Sequence, residues 1–155
     1  KTVNLLPEST LALIDKAPNV LAMKDATGDI IQTMRLYELC GKRLALLTGD
    51  DNNLLPFLSI GGTGVISVLS NILPAQIVSI VNNWNAGNLV QAREEFYRLL
   101  PLCRAMFVET NPIPIKAVMA KAGYCSAELR LPLQILPDDK LADVLREFEN
   151  YGVKI

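Results

Sequence analysis

The segment Asn19-Val20-Leu21-Ala22-Met23-Lys24-Asp25-Ala26-Thr27-Gly28-Asp29 passes from an apolar run, through a lysine, into a polar loop that carries a glycine. A short apolar run bounded by turn residues reads as a strand buried on both faces, with its C-terminal end at Lys24. Two readings of that lysine follow. Burial disfavours the ammonium form, lowers the pKa and leaves a neutral amine able to attack a carbonyl and form a Schiff base. Alternatively, Lys24 ends the strand and extends its ammonium to water.

Two further stretches share this pattern. Leu44-Ala45-Leu46-Leu47-Thr48 breaks into Gly49-Asp50-Asp51, and Gly61-Gly62-Thr63-Gly64 leads into Val65-Ile66-Ser67-Val68. Helical stretches lie between them. Pro7-Glu8 opens a helix that Pro18 stops. Asp29 is placed to cap a second helix bearing Ile30, Met34, Tyr37 and Leu39, which ends at Gly41. A short helix spans Asn52 to Ile60. Apolar strands joined by helical crossovers form a parallel sheet, either open and doubly wound or closed as a barrel. In both, function gathers at the C-terminal strand ends, where Lys24, Gly49-Asp50 and Ser67 fall. No Gly-x-Gly-x-x-Gly lies between a strand and a helix, which disfavours a dinucleotide site. The glycines at 61–64 read as a helix terminator.

From Ser70 onward the pattern is helical. Pro74 to Asn85 is amphipathic. Ala86-Gly87 is a stop and Asn88 a cap for a long helix that Pro101 is expected to kink. Glu109-Thr110-Asn111-Pro112-Ile113-Pro114 is a rigid entry to a helix running to Gly123, and it is expected to set the angle between the two parts of the chain. Asp138 or Asp139 caps the last helix, which ends at Gly152. Tyr37, Tyr97, Tyr124 and Tyr151 fall on helices or helix ends and read as packing residues.

The composition narrows the chemistry. The chain has 155 residues, a net charge of -1 and no histidine. The charge balance and the lack of a basic stripe disfavour a nucleic-acid surface, and no apolar run is long enough for a bilayer span. The lack of histidine excludes Ser-His-Asp and Cys-His nucleophiles and histidine-bound metals. Catalysis falls to Lys, Asp/Glu, Tyr, Ser/Thr or backbone groups. The three cysteines, Cys40, Cys103 and Cys125, match no zinc spacing and point to a reducing compartment. With no signal peptide visible, the expected location is cytoplasmic.

Four motifs stand in order: Met23-Lys24-Asp25-Ala26-Thr27-Gly28, Thr48-Gly49-Asp50-Asp51, Gly61 to Val68, and Asn111-Pro112-Ile113-Pro114-Ile115-Lys116. With Leu5-Leu6-Pro7-Glu8 ahead of them, they closely resemble the C-terminal half of the dihydrodipicolinate synthase (4-hydroxy-tetrahydrodipicolinate synthase) family. This is a group of pyruvate-dependent class I aldolases on a (β/α)8 barrel. The resemblance implies an α/β fold made of the last three strand–helix units of a TIM barrel (1–86), followed by a C-terminal helical domain (87–155). It implies that Lys24 condenses with pyruvate and that the enamine attacks L-aspartate 4-semialdehyde, a lyase step of lysine (diaminopimelate) biosynthesis. It places a backbone carbonyl at Ile66 near the lysine and makes Gly49 a candidate substrate contact. Asp25 stands where the family often has Glu. Asp50 and Asp51 either line the pocket or cap the next helix. No metal or organic cofactor is implied, because the Schiff base supplies the electron sink.

A barrel of this type takes about 250 residues and eight strands. By the resemblance, the half that carries proton-relaying hydroxyls and a carboxylate-gripping arginine is not in this chain. Lys1 falls near that arginine's place, but a lysine lacks the bidentate fork. Three parallel strands leave two open edges, so the chain is expected to need the N-terminal half of the barrel as its partner and to be inactive alone. Assembly as a homotetramer is the further expectation. The alternatives are a sister aldolase, such as an N-acetylneuraminate lyase or a keto-deoxy sugar acid aldolase, and a non-catalytic assembly fragment.

Overall fold

A computed structural model describes residues 3–155, so Lys1 lies outside the described residues. The chain packs as two compact units, one ending at Ile66 and the other beginning at Ser67.

The first unit is a parallel sheet with helical crossovers. In chain order it contains α1 (Pro7–Lys16), β1 (Ala22–Asp25), α2 (Ile30–Cys40), β2 (Ala45–Thr48), α3 (Leu54–Ser59) and β3 (Gly64–Val65). The strand order is β1-β2-β3, all parallel, with Lys24 opposite Leu47 and Leu47 opposite Gly64. Pro7 suits the start of α1 because its missing N–H costs nothing there. Asp29 caps α2 as its sequence position predicts, accepting from the Gln32 N–H at 3.0 Å. Gly41 follows the last turn of α2 at a positive φ of 54°. The expected helix over 52–60 is a 3-10 turn, Asp51–Asn53, that continues into α3.

Successive strand residues face opposite sides. Met23 and Asp25, with Leu46 and Thr48, face the helices. There Met23 joins a core of Ile14, Leu36, Cys40, Leu44, Leu46 and Phe57. Ala22 and Lys24 face the other way and are exposed. The expectation that the strands are buried on both faces is therefore corrected, since in β1 only the helix-facing residues are covered. The third strand is also shorter than expected. Val68 already has helical dihedrals (φ -80°, ψ -47°), and the Ser67 hydroxyl accepts the Ser70 N–H at 2.8 Å, so the chain turns instead of extending. Ser67 is thereby engaged in that turn.

The second unit is helical: α4 (Pro74–Asn85), α5 (Leu89–Ala105), α6 (Ile113–Lys121) and α7 (Asp138–Tyr151). Helix α5 packs against α4 and α7, and α7 also against α6. Leu69, Ile80, Leu99, Leu102, Met106, Val118, Val144 and Phe148 are among this unit's most buried side chains. The division at 86/87 follows strand–helix units, whereas packing joins α4 to α5. Two cap expectations are corrected. Asn88 makes no side-chain cap; its side chain is turned to Asn83, whose Oδ1 accepts from the Asn88 amide at 3.3 Å. Asp138 and Asp139 lie inside the first turn of α7, after the cap position Pro137, where their charge complements the helix dipole. Pro101 sits inside a continuous α5, and Asn111–Pro114 lies within this unit, opening α6. The three cysteines are free. No helix among the described residues is long and apolar enough to cross a membrane.

Candidate active site at the C-terminal strand edge

Lys24 stands one residue before the end of β1, on the sheet face opposite the helices. It is exposed in this chain, on the face that the chain's own helices leave uncovered. The row Lys24, Leu47 and Gly64 crosses the three strands on that face. The ladder continues one step beyond the strands, with the Gly49 N–H donating to the Asp25 carbonyl at 2.6 Å and the Ile66 N–H to the Thr48 carbonyl at 2.8 Å.

Gly49 and Lys24 are brought together. A Cβ at Gly49 would lie 2.5 Å from Lys24 Cε and 3.3 Å from its Cγ. The lysine stem therefore rests on the bare Cα of Gly49, one residue past the end of β2. Ile66 lies at the same edge, two strands from Lys24, with its N–H turned toward the intervening β2. Its side chain is 48% exposed, so any recognition there falls to an accessible residue.

The acidic loop after β2 is engaged in local structure. Asp50 Oδ1 accepts the Asn52 N–H at 3.0 Å and the Asn52 side-chain amide at 2.9 Å, while Oδ2 accepts from Asn53 Nδ2 at 3.1 Å. Of the two readings left open for Asp50, capping is the one observed. Asp51 is buried, 1% exposed.

Asp25 is the residue whose role the sequence reading missed. It is 4% exposed and points to the helix side. Its Oδ1 accepts the Thr27 N–H at 2.9 Å and the Thr27 hydroxyl at 2.7 Å, and its Oδ2 accepts the Thr33 hydroxyl at 2.6 Å. Hydrogen bonds to a charged group contribute about 1.5–3 kcal/mol each, enough together to offset burying the carboxylate. The signal available in the sequence was an Asp followed two residues later by Thr, the pattern of a side chain closing its own turn. Among the described residues no cluster of His, Cys, Asp and Glu is arranged to hold a metal ion.

These features define an α/β protein whose parallel strands carry a lysine at their C-terminal edge, with a glycine under its stem. The family model for the dihydrodipicolinate synthetase family matches residues 1–150. The 4-hydroxy-tetrahydrodipicolinate synthase of Geobacter sp. (strain M21) is 44% identical over 149 residues, covering 96% of this chain and 51% of that protein. The crystal structure of dihydrodipicolinate synthase from Aquifex aeolicus superposes with a TM-score of 0.95 at 29% identity, over 99% of this chain and 52% of that one. The chloride-inhibited dihydrodipicolinate synthase of Acinetobacter baumannii, complexed with pyruvate, gives a TM-score of 0.91 at 28% identity, over 97% of this chain and 52% of that one. The chain belongs to the dihydrodipicolinate synthetase family. It spans about half the length of the curated relatives it matches.

Proposed function

We propose that this chain supplies the Schiff-base part of a 4-hydroxy-tetrahydrodipicolinate synthase. The Lys24 amine attacks the ketone carbon of pyruvate and water leaves, giving an imine. Loss of a methyl proton gives the enamine, which attacks the aldehyde carbon of L-aspartate 4-semialdehyde. The observation that carries the reading is Lys24 itself, at a strand's C-terminal edge with its stem against Gly49, in a chain whose relatives bear the synthase name. The pyruvate complex of the Acinetobacter baumannii neighbour supports pyruvate as the first substrate. The relatives' names favour the synthase over the sister aldolases.

In this reading residues 1–86 are the last three strand–helix units of a (β/α)8 barrel and 87–155 a C-terminal helical domain. The uncovered face that carries Lys24 is the barrel's interior. Ile66 offers its carbonyl and Gly49 its backbone to the substrate. The N-terminal half of the barrel is the partner that closes the pocket. The protein acts in the cytoplasm as a homotetramer, with no metal or organic cofactor.

The test is turnover of pyruvate and L-aspartate 4-semialdehyde. It is run on this chain alone and on a completed barrel, in which the chain is joined behind the N-terminal half of the Geobacter sp. synthase. Turnover in the completed barrel and none in the chain alone is expected. A folded, completed barrel that is inactive with this pair would overturn the reading.

A further inference from the structure

We propose that Asp25 is the positioning residue of Lys24, holding the lysine's strand end through the carboxylate on one side and the carbonyl on the other. The proposal rests on the Schiff-base reading of Lys24. Asp25 does not share the lysine's face, because neighbouring strand residues point to opposite sides. It acts through the main chain. Its carboxylate binds Thr27 and Thr33, and Thr33 lies in the first turn of α2. Thr27 in turn accepts the Asp29 N–H at 3.1 Å, and Asp29 caps that same helix. The loop from strand to helix is thus tied at both ends to one buried carboxylate.

The carbonyl of the same residue accepts the Gly49 N–H at 2.6 Å. Gly49 is the surface on which the Lys24 stem lies. The distance between the lysine's strand and the lysine's support is therefore fixed by the Asp25–Ala26 peptide, and the Asp25 side chain ties down the loop which that peptide opens. Only a carboxylate takes all three donors as an acceptor at both oxygens. An asparagine must turn its amide toward Thr33, whose hydroxyl proton then goes to the Asp29 carbonyl, 3.1 Å away. Near-attack geometry is sensitive to such changes, since a displacement of about 1 Å slows a reaction roughly 100-fold.

The experiment uses the completed barrel with Asp25, and the variants Asp25→Ala, Asp25→Glu and Thr33→Val. The rate of imine formation at saturating pyruvate is read by borohydride quench and intact mass, well below each variant's melting temperature, which is recorded in parallel. Asp25→Ala is expected to slow imine formation by about 10- to 100-fold, with Asp25→Glu recovering most of the rate. Thr33→Val removes one hydrogen bond and keeps the fold, and is expected to slow the step roughly fivefold. A lowered melting temperature with an unchanged imine rate, in Asp25→Ala or, if that variant does not fold, in Thr33→Val, would assign Asp25 to stability alone and overturn the proposal. No adduct on Lys24 in the unsubstituted barrel would overturn the Schiff-base reading, and the positioning role with it. Adduct in the unsubstituted barrel and an equal rate in the variants would overturn the positioning role only.

Discussion

The segment that leaves β1, Asp25–Asp29, and the segment that enters β3, Gly61–Gly64, are both glycine-bearing, yet different groups hold them. The first is held by polar groups, with one carboxylate taking three donors and its threonine partner accepting a fourth hydrogen bond. A Cβ at its Gly28 would meet nothing closer than Asn53 Nδ2 at 3.7 Å. The second is held by main-chain carbonyls and by close contact. The Gly61, Gly62 and Thr63 N–H groups donate to the Leu58, Phe57 and Leu46 carbonyls at 3.2, 2.9 and 2.8 Å. A Cβ at Gly62 would lie 2.1 Å from Phe57 Cδ1 and 2.7 Å from the Phe57 carbonyl oxygen, and Gly61, at φ 100°, lies against the Tyr37 ring. The loop at the C-terminal strand edge is thus held through side-chain acceptors, and the turn at the N-terminal edge through main-chain carbonyls and a steric closeness that only bare backbone allows. Function is expected to follow the first and folding the second.

Substitutions can break that contrast. Lys24→Ala in the completed barrel is expected to abolish the pyruvate adduct and turnover while leaving the barrel folded, because Lys24 stands outside the helix-side core; mass spectrometry and calorimetry check this together. Gly62→Ala is expected to do the reverse. Its Cβ meets a backbone oxygen that cannot rotate away, so stability should fall by about 1–3 kcal/mol, read by urea denaturation, with residual folded protein still forming adduct. Gly49→Ala separates the two edges more finely. Its Cβ presses on the flexible Lys24 stem and on Ala26, so imine formation should slow about tenfold, or about 1.4 kcal/mol, with a smaller change in stability. Equal loss of stability and rate at Gly49 would erase the distinction between the edges.

The smallest expected effect lies in the helical unit. Lys140 hydrogen-bonds Glu109 and holds its carboxyl below the ordinary glutamate value of 4.5. A depressed carboxylate pKa adds stability that is present above the unfolded value and lost as pH falls through the folded one. The stability difference between the protein and Glu109→Gln is therefore expected to be full at neutral pH and to shrink below pH 4.5. Chemical denaturation across that range measures it.

Much of this was legible in the sequence because it depends on local rules. Asp29 caps α2, Pro7 opens α1 and Gly41 closes α2, each through an interaction within a few residues. The order of apolar runs and helical stretches was enough for a parallel sheet, and the four motifs carried the family. What failed depended on partners elsewhere in the fold. Asn88 looked like a cap, but its side chain is turned to Asn83. Val65 to Val68 has the composition of a strand, but pairing stops at the Ile66 N–H, because Ser67 and Ser70 turn the chain. The hydrophobicity of Val20 to Met23 suggested a strand covered on both sides, while the helices of this chain cover one. Asp25 was passed over because its value lies in Thr33, eight residues away on the next helix. Composition shows an acid at that place; only the fold shows what it holds.

Borohydride trapping with pyruvate, followed by intact mass and peptide mapping, decides whether Lys24 is the Schiff-base residue. It is run on this chain alone and on the completed barrel. A single reduced pyruvate adduct on Lys24 is expected in the completed barrel. A folded, completed barrel that gains no adduct, or gains it on another lysine while Lys24 stays free, would contradict that role.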